Sequence, residues 1–132
     1  MIDIEAEIRD HLLLEPVLTA LTSTRIFAAA DVPAVGYKPS DGACICFKMR
    51  GGPVITEQRA IADASVQFKC YGATEYAASA CYRTLMDVFD QARGAKMRWA
   101  YAEGIGQPIR DAEQDKGWFN VLVFFTCRMD IS

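Results

Sequence analysis

The sequence predicts an α+β fold: one domain over residues 1–132, built on a mostly antiparallel four-stranded sheet with two helices packed on one face. Three observations carry this. Residues 65–71 alternate, with Val66, Phe68 and Cys70 pointing one way and Ser65, Gln67, Lys69 and Tyr71 the other, the period of two of a half-buried strand. At Gly72-Ala73 the period changes, and Ala77, Cys81, Leu85, Val88 and Ala92 then fall on one helical stripe. The whole chain reads α-β-β-β-α-β-β, its first strand short, with hairpin-type connections and a single helical crossover.

The elements follow in order. Asp3 caps a first helix, Ile2 to Leu13, in which Ile4, Ile8 and Leu12 recur at helical spacing. Pro16 interrupts it, and a short turn restarts there with Val17, Leu18 and Leu21 expected inside. A short strand covers Thr24 to Phe27, and residues 29–42, with two prolines and two glycines, form an irregular loop. From Ala43 to Arg50, Ile45, Phe47 and Met49 share one face, with Cys44, Cys46, Lys48 and Arg50 on the other. Gly51-Gly52-Pro53 ends that strand, and residues 51–60 connect it to the strand ending at Tyr71, so the two pair as an extended antiparallel hairpin.

Thr74 is the expected N-cap of the long helix, Glu75 suits the positive end of its dipole, and Gly94 is the expected C′ residue. A strand from Lys96 to Glu103 sets Met97, Trp99 and Tyr101 against Lys96, Arg98 and Ala100. A polar loop through Gly117 leads to a last strand, Trp118 to Met129. The expected core is Ile4, Ile8, Leu12, Ala77, Cys81, Leu85 and Val88 of the helices against Val66 and Phe68 of the sheet.

Composition narrows the functional classes. The net charge is −3, from 14 basic and 17 acidic residues without a basic block, which disfavours sequence-independent binding of duplex DNA. The longest apolar runs, such as Val121 to Phe125, fall far short of the roughly 20 residues that span a bilayer. Met1-Ile2-Asp3-Ile4-Glu5 is acidic where a signal peptide is basic, so the expected location is the cytoplasm. The five cysteines (Cys44, Cys46, Cys70, Cys81, Cys127) read as structural thiols. Cys44-x-Cys46 lacks the spacing and the second pair of a zinc site.

The strand, small-residue turn and alanine-rich helix from Ser65 to Phe89 (SVQFKCYGATEYAASACYRTLMDVF) resemble the core signature of the tail terminator, or tail-completion, proteins of long-tailed bacteriophages. Length and element order agree with that family over nearly the whole chain. The resemblance implies a virion structural protein at the neck end of the tail, assembled in the host cytoplasm. In that family a ring, hexameric in its known members, caps the finished tail tube and joins it to head-completion or neck proteins. The implied partners are copies of this chain, the tube protein and a neck protein, with DNA passing through the ring unbound. The alternatives are another phage neck or tube component, such as a head–tail stopper, or a small α+β enzyme or ligand-binding domain.

No catalytic constellation stands beside this reading, and no cofactor, metal or membrane is expected. His11 is the one histidine, and no partner group is legible for it. Gly104-x-Gly106 opens no helix, and Pro108 intervenes. Two loops remain. Residues 51–60 expose Val54 and Ile55 at a hairpin tip, either folding back on the sheet or, with Gln58 and Arg59, seating on a neighbouring subunit. Residues 103–117 carry Glu103, Asp111, Glu113 and Asp115, either as a solvated loop or as carboxylates lining a DNA channel.

Overall fold

The computed structural model describes residues 2–52, 54–56, 60–111 and 118–132. Two long strands dominate it, β4 (Ile61–Gly72) and β7 (Trp118–Asp130), paired antiparallel from Ile61–Asp130 to Gly72–Phe119. Ahead of them come α1 (Ile4–Leu13), α2 (Pro16–Thr22), β1 (Ile26–Ala28), β2 (Cys44–Met49) and β3 (Val54–Thr56). Between them lie α3 (Glu75–Phe89), β5 (Met97–Ala102) and β6 (Gln107–Asp111).

The strand order is β1-β2-β4-β7-β5, with β3 beside β2 along β4, and β6 beside β5 along β7. The sheet is therefore seven-stranded and mixed rather than four-stranded, because β1 joins β2 in parallel. Three α-helices replace the expected two, since Pro16 starts a helix of its own at N1. The α+β class stands.

All three helices cover one face of the sheet. Ile4, Ile8 and Leu12 of α1, Leu18 of α2, and Cys81, Leu85 and Phe89 of α3 meet Ile45, Phe47, Val66, Phe68, Val123 and Phe125 in one buried cluster. Four phenylalanines form its centre: the Phe68 ring lies 5.2 Å from Phe47, 5.4 Å from Phe89 and 5.4 Å from Phe125. On α3 the buried stripe is Ala78, Cys81, Leu85 and Phe89, while Ala77 and Val88, expected inside, are half-buried. On α2, Leu18 and Thr22 are buried, and Val17 and Leu21 face outward. The cap assignments hold: Ala6 N–H donates to Asp3 Oδ1 and Ala77 N–H to Thr74 Oγ1, each at 3.1 Å.

Helix α3 stops at Phe89, short of the expected Ala92 and Gly94, because the next residues find partners on β5. Asp90 turns extended and its carboxylate accepts from Ala102 N–H at 2.8 Å. Gln91, at φ 68, donates its N–H to Ala100 O at 2.7 Å. Within β5 the alternation breaks at a bulge between Met97 and Trp99, so Met97 and Ala100 point inward while Arg98 and Trp99 stay exposed.

The opposite sheet face is open except at one end. There the 29–43 loop lays Tyr37 over Cys44, Cys46 and Tyr71, with Phe27, Ala30 and Trp118 around them. Tyr37 donates its hydroxyl proton to Gly42 O at 2.7 Å and meets Trp118 edge-on at 5.5 Å. That small core buries Cys44 and Cys46, so all five cysteines are buried, and none is joined in a disulfide.

Gly72 is where β4 passes into α3. A Cβ there would collide with the backbone nitrogen of Ala78 and sit 2.7 Å from the carbonyl carbon of Ala77, neither of which can swing aside. Gly72→Ala should therefore destabilise the fold by prying the helix off the strand, by about 1–3 kcal/mol as overpacking does. Leu85→Ala, at a site with no exposed surface, should cost about 2–5 kcal/mol. Denaturant titration of both variants checks this, and parent-like midpoints would reject the assigned core.

Candidate assembly surface

The hairpin of β2, β3 and β4 does not run straight. From the Met49–Val66 pair to the Val54–Asp63 pair, the outer arm takes five steps where β4 takes three. The other flank repeats this, five steps against three from Ala102–Phe125 to Gln107–Leu122. Each interruption places one charged residue over the middle of the open face: Arg50 on one side, Glu103 on the other.

These two meet across the sheet. Arg50 donates from Nε at 3.0 Å and from its terminal nitrogen at 2.6 Å to Ser65 Oγ, and from that nitrogen to Glu103 Oε1 at 3.1 Å. Ser65 Oγ donates to Glu103 Oε2 at 2.8 Å, and the guanidinium sits 4.0 Å above the Phe124 ring. Around them, Lys48 pairs with Asp31 at 2.6 Å and Arg128 with Asp63 at 2.9 Å. The Lys48 and Arg128 cations hold the Asp31 and Asp63 carboxyls below the usual carboxylate range. The open face is thus a polar and aromatic surface whose charges are largely matched within it.

The sequence-predicted residues separate into two places. Val54 and Ile55 lie in β3 on the arm of the hairpin, not at its tip, with 65% and 46% of their surface exposed. Gln58 and Arg59 lie outside the described residues. Glu103 is in the central network with Arg50. Asp111 ends β6 opposite Trp118, at the far end of the sheet from β3, while Glu113 and Asp115 lie outside the described residues. Sequence reasoning missed the Arg50–Ser65–Glu103 network, whose members are far apart in the chain. The alternation put Ser65 on the open face and Arg50 on the face away from Ile45, Phe47 and Met49, but that Glu103 reaches them is decided by the pairing of β7 with both β4 and β5.

The chemistry available is limited. The Cys70 thiol is pushed up by its contact with Cys81 and by burial, and Cys127 is pushed up to about 12 by burial and the Glu103 carboxylate. Both stay protonated at neutral pH and are poor nucleophiles. His11 leans on the Phe89 ring at 6.0 Å with Glu15 Oε1 3.9 Å away. Among the described residues no group of three His, Cys, Asp or Glu side chains is placed to hold a metal ion. No described helix is long and apolar enough to cross a membrane. A cleft of about 430 Å³ beside α3 is lined by Tyr82, Arg83, Met86 and Asp87 among others.

No family model matches the chain, and no curated protein matches it. Among solved structures it shares its fold with a chain from the virion of a native gene transfer agent particle, with a TM-score of 0.69 at 13% identity, over 96% of this chain and 94% of that one. At that identity the likeness is one of fold.

The ion pairs make a pH prediction. A carboxyl with a lowered folded pKa contributes stability that is present above its unfolded pKa and lost as pH falls through the folded one. For Asp63 the contribution is under about 1 kcal/mol, since both partners are partly exposed. Arg128→Ala should raise the Asp63 titration midpoint, read by NMR of the carboxyl carbon, towards the ordinary value. A midpoint that stays put would show that Arg128 is not the cause.

Proposed function

We propose that the chain is a structural protein of a phage-like virion, and within it a tail terminator. The observation that carries this reading is the fold agreement, almost end to end in both chains, with a component of a gene transfer agent virion. The element order and the Ser65–Phe89 signature that resemble the tail terminators support the finer assignment. The mechanism is steric. One patch of a subunit seats on a different patch of its neighbour, the rotation closes into a ring, and the ring gives the tail tube a last layer that accepts no further tube subunits. Its other side meets the neck proteins. This work needs geometry and surface matching rather than bond chemistry, so the reading is non-enzymatic.

Val54 and Ile55 fit the role of a subunit contact: exposed, apolar and on a strand paired with β4. Of the four carboxylates considered for a DNA channel, Glu103 is engaged by Arg50, which leaves Asp111, Glu113 and Asp115 as the lining residues of the proposal. Carboxylates there repel phosphate and leave DNA free to slide.

Deleting the gene from its phage or prophage should give tails of uncontrolled length or tails unattached to heads, and the protein should sediment with purified particles. Normal particles assembled without it would reject the reading. The double change Val54→Asp with Ile55→Asp should leave the isolated chain within about 0.5 kcal/mol of the parent. In complementation it should abolish tail capping, since charge would enter a subunit contact. Lysine at positions 113 and 115 should leave tails intact and slow DNA release, measured as ejection half-time. Unchanged ejection would remove these carboxylates from the channel.

A further inference from the structure

The outer edges of the sheet are of two kinds. Beside β1, Arg9 Nε donates to Ile26 O at 2.7 Å and its terminal nitrogen to Thr24 O at 3.4 Å. The edge of β5 is covered by residues 90–94: Ala100 N–H donates to Ala92 O at 3.0 Å and Gly94 N–H to Met97 O at 2.7 Å. Strands β3 and β6, by contrast, have a hydrogen-bonded neighbour on one side only among the described residues. They occupy opposite corners. β3 lies against Ile61–Asp63 at one end of β4, and β6 against Trp118–Leu122 at the other end of the sheet. An unpaired strand edge is a template for another strand, and adding one is a recurring mode of protein association.

We propose that β6 of one copy pairs antiparallel with β3 of the next, so that the sheet continues from subunit to subunit. The inference rests on the ring reading above and names the contact that closes the ring. A second copy is the occupant because each copy supplies both halves of the contact. β3 and β6 run in opposite directions in the sheet, so placing one beside the other in the next copy keeps the antiparallel alternation.

Pro108 has no N–H to give, so the ladder ends at Ile109 and leaves residues 109–111, the same length as β3. The pairing is then Val54 with Asp111, Ile55 with Arg110 and Thr56 with Ile109. This register also matches faces. Asp63, the β4 partner of Val54, and Trp118, the β7 partner of position 111, both lie on the open side. Residues 51–56 (GGPVIT) carry no charge, so the β3 half of the contact desolvates no ion, and the exposed apolar surfaces of Val54 and Ile55 lie at it.

The contact is staggered. Ile55 is level with Ala62 on β4, and its partner Arg110 is level, through Phe119, with Gly72 on that strand. Those rows are ten residues, roughly 33 Å, apart along the strand. Each added copy shifts along the strand direction, which tilts the strands against the ring axis as a closed sheet requires.

Engineered cysteines test this cleanly, because the five native thiols are buried and the parent serves as an unlinked control. The double variant Val54→Cys with Asp111→Cys, concentrated or within purified particles and treated with a short bismaleimide, should give a ladder of covalent multimers. The two single variants mixed together should give dimers, and each alone none. Dimers from Val54→Cys alone would mean a two-fold contact and overturn the proposal, as would the absence of any link in both preparations. Particles that contain the chain but show no link would reject this contact and leave the virion reading standing. A ladder from a chain that never enters particles would support the contact and reject the virion reading.

Discussion

Twelve successive residue pairs join β4 to β7, and because side chains alternate along a strand, that ladder assigns every residue of both strands to a face. Ala64, Val66 and Phe68 meet Cys127, Phe125 and Val123 on the covered side, and Asp63, Ser65 and Gln67 meet Arg128, Thr126 and Phe124 on the open side. A slip of one residue would exchange the two sets and put carboxylate and guanidinium under the helices. The phenylalanine cluster, which takes one ring each from β2, β4, β7 and α3, exists only in this register. The position of α3 follows, since Gly72 brings the helix backbone directly against the end of β4.

The same ladder shapes the exposed surface. The flanking arms β2–β3 and β5–β6 are each longer than the strand they accompany, and the excess is released as a kink at Arg50 on one side and at Glu103 on the other. Both kinks start from the row that joins Met49, Val66, Phe125 and Ala102, which is why the two charges meet over Ser65. The result is a face with its ions paired in place and aromatic surface between them. Such a face presents little to a polyanion and suits a protein neighbour.

Much of this architecture was legible in the chain. The alternation of residues 65–71, the change of period at Gly72, and the caps Asp3 and Thr74 are local signals, and local signals survive folding. So was most of the core: Ile4, Ile8, Leu12, Cys81, Leu85, Val66 and Phe68 are all buried. Errors gathered where a tertiary partner competes with a local preference. Ala92 continues the helical stripe, yet residues 90–94 leave the helix because the edge of β5 offers them hydrogen bonds. Residues 107–111 look like polar loop, and they become strand because β7 extends beside them.

The sequence by itself determined the fold class and the kind of residue on each face of the central strands, because these rest on periodicity and composition. It also marked Val54 and Ile55 as an unusual apolar pair. Only the tertiary structure decided that they sit on a paired arm rather than a tip, that Glu103 is tied to Arg50, and that β3 and β6 are left with open edges at opposite corners. Each of these depends on register between segments tens of residues apart, and no local pattern encodes which hydrogen bonds a distant strand will leave unfilled.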